Sequence, residues 1–264
     1  MKKKHIVLLS FAAVLVVGIL WLVWGNVTVG LTTITVTEDN LPSSFDGYRI
    51  AHVSDLHNSW LWEKTIGQLE KAEPDIICIT GDIIDSDEIE NAFLFIEKAV
   101  KIAPCYYITG NHEMMINRTT YVELMQGLED RGVIVLMDQS VILSKGDGQI
   151  CLTGHRWGNT DGIGQLTDFT GYNVLLSHQP ECFRNYVAGE YDLVLTGHAH
   201  GGQVRLPLIG GLYAPGQGIL PEYDSGIYTD GRTDMVVSRG IGNSGFPIRF
   251  NNRPEVILLI LECQ

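Results

Sequence analysis

The chain has 264 residues, of which 45% are hydrophobic and 19% charged. That is enough apolar material for one large core or two small ones, and it excludes a disordered chain. The formal charge is −13 at pH 7. The only charges before residue 26 are three lysines, so the remaining 15 basic and 31 acidic residues carry −16. A surface that acidic repels a phosphate backbone and excludes a general nucleic-acid binder. The five cysteines are odd in number and lack C-x-x-C spacing, which argues against a disulfide or zinc-thiolate framework.

Ile6–Trp24 is a run of 19 residues without a charge, about 28 Å long as a helix and close to the hydrocarbon thickness of a bilayer. Lys2, Lys3 and Lys4 precede it, and no basic residue follows before Arg49. The positive-inside rule then puts the N-terminus in the cytoplasm and everything after Gly25 outside, with Trp21 and Trp24 at the outer interface. A cleaved signal peptide would have a shorter apolar region and an A-x-A-like site, and Gly25–Gly30 has none. The segment therefore reads as an uncleaved single-pass anchor over residues 1–25, followed by a domain over residues 26–264.

Val27–Thr37 alternates Val, Thr and Ile and predicts a strand. Leu41–Gly47 is a turn. A repeated pattern follows, in which a short apolar run enters a polar loop and then a helical stretch. Strands are expected at Arg49–Val53, Asp75–Thr80 and Tyr106–Thr109. Helices are expected at Trp62–Ala72, at Asp87–Lys101 with Asp87 and Glu90 as a capping box, and at Thr120–Arg131 with Thr120 and Glu123 as another. From residue 133 strand-like runs dominate: Val133–Met137, Val141–Ser144, Gln149–Thr153, Val174–Ser177, Asp192–Thr196, Met235–Ser238 and Val256–Leu261. One short helix near Cys182–Ala188 interrupts them, and Leu206–Pro221 reads as a long surface loop. The sum is an α/β fold of two packed sheets with helices outside.

Five polar motifs stand at the ends of these apolar runs: Asp55-Leu56-His57, Gly81-Asp82-Ile83-Ile84-Asp85, Gly110-Asn111-His112-Glu113, Ser177-His178 and Gly197-His198-Ala199-His200. They contain five of the eight histidines. Loops at strand C-termini are where α/β folds place ligands. Imidazole, carboxylate and amide donors without thiolate suit Mn, Fe or Zn in a mixed N/O shell. His52, inside a strand, reads as a packing residue, and so does His155. Position 116 is Ile, so His112-Glu113 does not complete a zincin H-E-x-x-H. Gly240, Gly242 and Gly245 match G-x-G-x-x-G, but Phe246-Pro247 opens no helix. These glycines read as shaping a loop beside the metal pocket.

D-x-H, then G-D-x-x-D, G-N-H-E, a lone His and G-H-x-H, in that order across Asp55–His200, resembles the calcineurin-like metallophosphoesterase superfamily. The flanking pieces, down to Pro254-Glu255, are similar to its membrane-anchored bacterial branch. The resemblance implies a four-layer α/β/β/α sandwich of two mixed sheets behind one N-terminal transmembrane helix. It implies that Asp55, His57, Asp82 and His200 hold one divalent ion and Asp82, Asn111, His178 and His198 a second, with Asp82 bridging. His112 would act as general acid or charge stabiliser, oriented by Asp85. Two ions carry +4 against −2 from Asp55 and Asp82, leaving a cationic site in an acidic protein. Water acidified between two ions is a nucleophile near neutral pH. The expectation is a membrane-anchored enzyme, in first place a phosphodiesterase, that hydrolyses phosphoester or pyrophosphate bonds, with its active site outside the cytoplasm and acting as a monomer. Its substrate would be a lipid-linked phosphate, a cell-wall phosphodiester or a nucleotide. The alternative is a non-catalytic, metal-dependent cell-surface binding module, which would have no need of His112 and Asp85.

Overall fold

The structure is a computed structural model and describes residues 2–158 and 168–264. Helix α1 (Lys2–Val27) is long and apolar enough to cross a bilayer. Its apolar side chains from Ile6 to Trp24 are largely exposed. The helix runs past the apolar segment because Asn26 Nδ2 donates to Leu22 O at 2.7 Å and Thr28 Oγ1 to Trp24 O at 2.7 Å. Those bonds satisfy last-turn carbonyls that would otherwise lack partners. The first strand, β1 (Gly30–Glu38), therefore starts three residues later than expected.

After β1 come β2 (Tyr48–Val53), α2 (Trp62–Ala72), β3 (Ile76–Thr80), α3 (Glu90–Ala99), β4 (Cys105–Ile108), α4 (Arg118–Asp130), β5 (Ile134–Val135), β6 (Gln139–Lys145) and β7 (Gly148–Gly154). Then follow β8 (Tyr172–Leu176), α5 (Phe183–Ala188) and β9 (Leu193–Thr196). The Leu206–Pro221 region holds two small ribbons, β10 (Arg205–Leu206) with β11 (Gly210–Gly211) and β12 (Tyr213–Ala214) with β13 (Gly218–Ile219). The chain closes with β14 (Gly226–Asp230), β15 (Thr233–Val237) and β16 (Glu255–Cys263).

The large strands form two six-stranded sheets, ordered β1-β16-β2-β3-β4-β5 and β14-β15-β9-β8-β7-β6. Both are mixed. In the first, only the β16–β2 pair is antiparallel; in the second, the two edge pairs β14–β15 and β7–β6 are. Strand alternation divides the core between layers. Ile50, Cys78, Tyr106, Ile108 and Ile257 point to Leu152, Val174, Leu195 and Val236 of the facing sheet. Ala51, Val53, Ile77, Ile79 and Tyr107 point the other way, into Leu69, Phe95, Ile96 and Leu124 of α2, α3 and α4. Leu175, Val194, Met235 and Val237 pack outward under Phe183 and Tyr186 of α5. The result is the four-layer α/β/β/α sandwich. All five cysteines are free.

Local differences from the expected elements have identifiable causes. Helix α3 begins at Glu90 rather than Asp87, because the Asp87 carboxylate accepts from Asn117 N at 3.0 Å instead of capping α3. Helix α4 begins two residues early because Asn117, not Thr120, is its cap; Asn117 Oδ1 accepts from Thr120 N at 3.0 Å. Strand β14 was not visible as an apolar run, since it is a half-exposed edge with Ile227 and Tyr228 as its only apolar residues. His52 is fully buried with Nε2 2.8 Å from Thr80 Oγ1, a core histidine as expected.

Candidate metal centre

Six strand ends converge. The parallel strands β2, β3 and β4 of one sheet lead into Asp55, Asp82 and Asn111, and β8, β9 and β15 of the other lead into His178, His198 and Gly240. The loops turn sharply. Asp55, His57, Asp82, His198 and His200 all have φ between 46° and 64°, the left-handed region that Asp, Asn and His tolerate best among residues with a Cβ. Non-glycine residues in this region commonly mark functional sites, at a cost of about 1–3 kcal/mol each. Close approach requires glycine at two points. A Cβ on Gly197 would overlap Ser54 Oγ, and one on Gly240 would stand 2.7 Å from Asp55 Cβ. Gly240 belongs to a loop whose Ile241 and Gly242 amides donate to Asp55 O at 3.2 and 2.7 Å, so this glycine-rich segment does border the pocket.

Two sets of donor atoms lie side by side. In the first, His57 Nε2 stands 3.8 Å from Asp55 Oδ1 and 3.2 Å from His200 Nε2, and His200 Nε2 stands 3.5 Å from Asp55 Oδ1. In the second, Asp82, His178 and His198 offer donor atoms within 4.8 Å of one another, with His178 Nε2 3.2 Å from Asp82 Oδ2. The two sets adjoin at Asp82, whose Oδ2 is 3.7 Å from His57 Nε2. Thr80 O lies 2.6 Å from His178 Nδ1. A carbonyl only accepts, so Nδ1 carries the proton and Nε2 is left facing Asp82. Asp82 Oδ2, Asn111 Oδ1 and His178 Nε2 are buried without a hydrogen-bond partner. Buried polar atoms left unpaired are costly and rare. Asp82 Oδ2 and His178 Nε2, 3.2 Å apart and beside the Asp55 carboxylate, fit a site built for cations.

His112 stands at the rim, its side chain 18% exposed. Asp85 Oδ1 is 2.9 Å from His112 Nδ1 and also 3.3 Å from His57 Nδ1, so one carboxylate stands beside two imidazoles. The sequence reading assigned it only to His112. Three further residues went unread. Glu113 is buried, and its carboxylate accepts from the amides of Gly110 at 2.7 Å, Ile83 at 2.8 Å and Asp82 at 3.0 Å, tying two of the motif loops together. Ser244 Oγ lies 3.3 Å from His112 Nε2. The buried Arg249 guanidinium comes within 3.5 Å of His200 Nδ1. Glu113 sits inside G-N-H-E and was there to be noticed; Ser244 and Arg249 lie 132 and 49 residues from their neighbours and carry no local signal. Trp157 covers the second set, its ring 4.9 Å from that of His198. His155 is buried beside Asp138, Nδ1 to Oδ1 3.3 Å.

The family model described as calcineurin-like phosphoesterase matches residues 48–202, more than half of the chain and the stretch that holds all five motifs. The chain belongs to the calcineurin-like phosphoesterase family. It is a metal-dependent phosphoric ester hydrolase. The chain is 31% identical over 246 residues to a Bacillus subtilis protein named uncharacterized metallophosphoesterase YkuE, covering 86% of this chain and 84% of that one. It is 28% identical over 224 residues to the Escherichia coli phosphodiesterase YaeI, covering 81% and 82%. The solved structure of Haemophilus influenzae NAD nucleotidase superposes on 74% of this chain and 45% of its own with a TM-score of 0.51 at 14% identity, a likeness of fold.

Electrostatics in this phosphoesterase shows what charge its pocket demands. Burial pushes the Asp55 carboxyl up, but His200, His57 and His178 outweigh it and hold the group well below the usual range. Asp82 is held at about 2 by His178 and His57 against the same burial. Burial also works against the His57 cation, yet hydrogen bonds to Asp55 and Asp85 raise it to about 9. His178 rises to about 10 against burial through Asp82. Burial lowers His198 to about 4 and His200 to about 3. Protons on His57 and His178 thus balance the carboxylates where divalent cations would. Glu113 is raised by burial and by Asp82.

Proposed function

We propose that this chain is a membrane-anchored phosphodiesterase with a binuclear metal site. In this reading residues 1–25 are the cytoplasmic tail and anchor, and residues 26–264 are one catalytic domain outside the cytoplasm. Asp55, His57, Asp82 and His200 hold one divalent ion, Mn, Fe or Zn. Asp82, Asn111, His178 and His198 hold the other. The observation that carries the reading is the pair of adjacent donor sets, Asp55-His57-His200 and Asp82-His178-His198, with Asp82 Oδ2 3.7 Å from His57 Nε2 and left without a hydrogen-bond partner. The E. coli relative named a phosphodiesterase supports a diester substrate. Lys2, Lys3 and Lys4 before the apolar helix support the outward orientation.

Held by these residues, two divalent ions would supply a nucleophile from water and neutralise phosphoryl oxygens. The chain's own groups do the rest. His112, with Nε2 at the open side of the pocket, gives its proton to the oxygen released when the P–O bond breaks. Asp85 Oδ1, 2.9 Å from His112 Nδ1, favours the tautomer and orientation that turn Nε2 to substrate. Ser244 Oγ stands 3.3 Å from that same Nε2, the place the leaving oxygen takes when substrate is bound. Glu113 holds the Asp82 and Gly110 turns at the separation the donor sets need. Trp157 shields the His178–His198 pair from bulk water.

An anchored domain favours substrates that stay near the membrane, a lipid-linked phosphate or a cell-wall phosphodiester, over a free nucleotide. The test is the rate with bis-p-nitrophenyl phosphate against p-nitrophenyl phosphate, by full-length protein in detergent with Mn²⁺ restored. Preference for the diester supports the reading. Preference for the monoester would make the chain a phosphatase.

A further inference from the structure

Beside the end of the spanning helix lies a pocket of about 270 Å³, lined among others by Trp21, Trp24, Arg239, Arg249, Asn251 and Arg253. No acidic side chain lines it among the described residues, although acids outnumber bases two to one in the chain beyond the anchor. Arg239 is paired with Glu255. Arg249 is buried, its guanidinium donating to Asn243 Oδ1 and to the carbonyls of Arg239 and Gly242, and Arg253 has no carboxylate partner among the described residues. Arg253 stacks over the Trp24 ring at 4.6 Å, while its Nε donates to Thr28 Oγ1 at 2.8 Å and Nη2 to Val29 O at 2.7 Å. Its Nη1 makes no hydrogen bond among the described residues and remains open to a ligand.

One wall of the pocket is helix, apolar and aromatic; the opposite wall presents the uncompensated charge of Arg253. Tryptophan rings take up the headgroup level of a bilayer, and arginines there pair with anionic lipid. The junction is also rigid. Asn26, at the end of the helix, donates from Nδ2 to Arg249 O at 2.8 Å and accepts from Arg249 N at 2.8 Å. Exposed Phe246, Ile248 and Phe250 continue the apolar character along the same segment.

We propose that this pocket binds the phosphate of one anionic phospholipid, with Arg253 as its principal contact and the acyl chains along Trp21 and Trp24. The inference rests on the membrane-anchored reading of helix α1. The bound lipid is a resident of the junction, separate from the substrate at the metal centre. It fixes the Ser244–Arg253 segment, which runs from the His112 side of the active site to the anchor, against the bilayer.

Native mass spectrometry of full-length protein in detergent, titrated with phosphatidylglycerol or phosphatidylcholine, reads this directly. Wild type should retain one phosphatidylglycerol at a concentration at least tenfold below that for phosphatidylcholine. Arg253→Gln should reduce the preference to twofold or less, and Arg253→Lys should keep part of it. Both variants should retain diester hydrolysis, which shows that they fold. Equal retention of the two lipids by wild type, or an unchanged preference in Arg253→Gln, would overturn the proposal. Displacement of the lipid by millimolar inorganic phosphate would overturn the lipid source in favour of free phosphate. Flotation with liposomes separates the underlying reading. Protein that fails to float refutes the anchor and the lipid site with it, whereas protein that floats without lipid preference refutes the lipid site alone.

Discussion

The Asp85 carboxylate lies between two imidazoles, 2.9 Å from His112 Nδ1 and 3.3 Å from His57 Nδ1. One of those rings belongs to the first donor set and the other faces the open side of the pocket. In the proposed mechanism Asp85→Asn therefore touches both metal retention and proton transfer, whereas a change at His112 touches proton transfer alone.

For His112→Ala, metal content by atomic emission should match wild type while the hydrolytic rate falls about 10²–10⁴-fold, the usual range for a positioned general acid. For Asp85→Asn, both the rate and the metal content should fall. Wild-type turnover by His112→Ala would remove His112 from the chemistry.

How far this was legible from sequence depended on range. The five polar motifs each follow an apolar run, so their place at strand ends could be read, and parallel strands bring such ends to one edge. Ile76–Thr80, buried on both faces, could be recognised as an interior strand. Asp85's second contact could not, because it depends on how the turn after Asp82 aims the carboxylate. Ser244 and Arg249 reach the site from beyond residue 240, through a loop with no periodic pattern. The helix starts at Glu90 and Arg118 were missed for a similar reason. Asp87 and Asn117 were both competent caps, and the contact between them decided which capped a helix.

Metal binding should release protons. His57 is raised to about 9 and His178 to about 10 in the metal-free pocket, so both are charged near pH 7 and must deprotonate to ligate. Apparent metal affinity should therefore rise with pH from 7 to 9. Calorimetry of Mn²⁺ binding in buffers of different ionisation enthalpy should show a net release of protons that shrinks over that range. A pH-independent affinity would contradict the charge balance described above.

Glu113 has a purely architectural part in this scheme. Glu113→Ala leaves the amides of Asp82, Ile83 and Gly110 without their acceptor. Each buried donor left unsatisfied costs about 1–3 kcal/mol. Thermal melting should fall by several degrees, and metal affinity should fall with it, since Asp82 is a proposed ligand of both ions. An unchanged melting temperature would show that the loops hold without the clamp.

Far from the metal centre, Glu38 offers a separate pH test. Burial, with the nearby charges of Asp234 and Asp192, raises its carboxyl from 4.5 to about 7. The folded state therefore binds this proton more tightly than the unfolded chain. Its stabilising contribution is complete below pH 4.5 and is lost as pH rises through 7. Glu38→Gln should melt higher than wild type at pH 8, with the difference vanishing by pH 5. A difference independent of pH would rule out titration of Glu38 as the cause.

The most direct test of the binuclear reading is hydrolysis of bis-p-nitrophenyl phosphate by full-length protein stripped of metal and then titrated with Mn²⁺. The reading predicts no turnover in the stripped protein, recovery that is complete at two ions per chain, and loss of at least one of those ions in Asp82→Asn. Full turnover after stripping, or saturation at a single ion that Asp82→Asn retains, would contradict it.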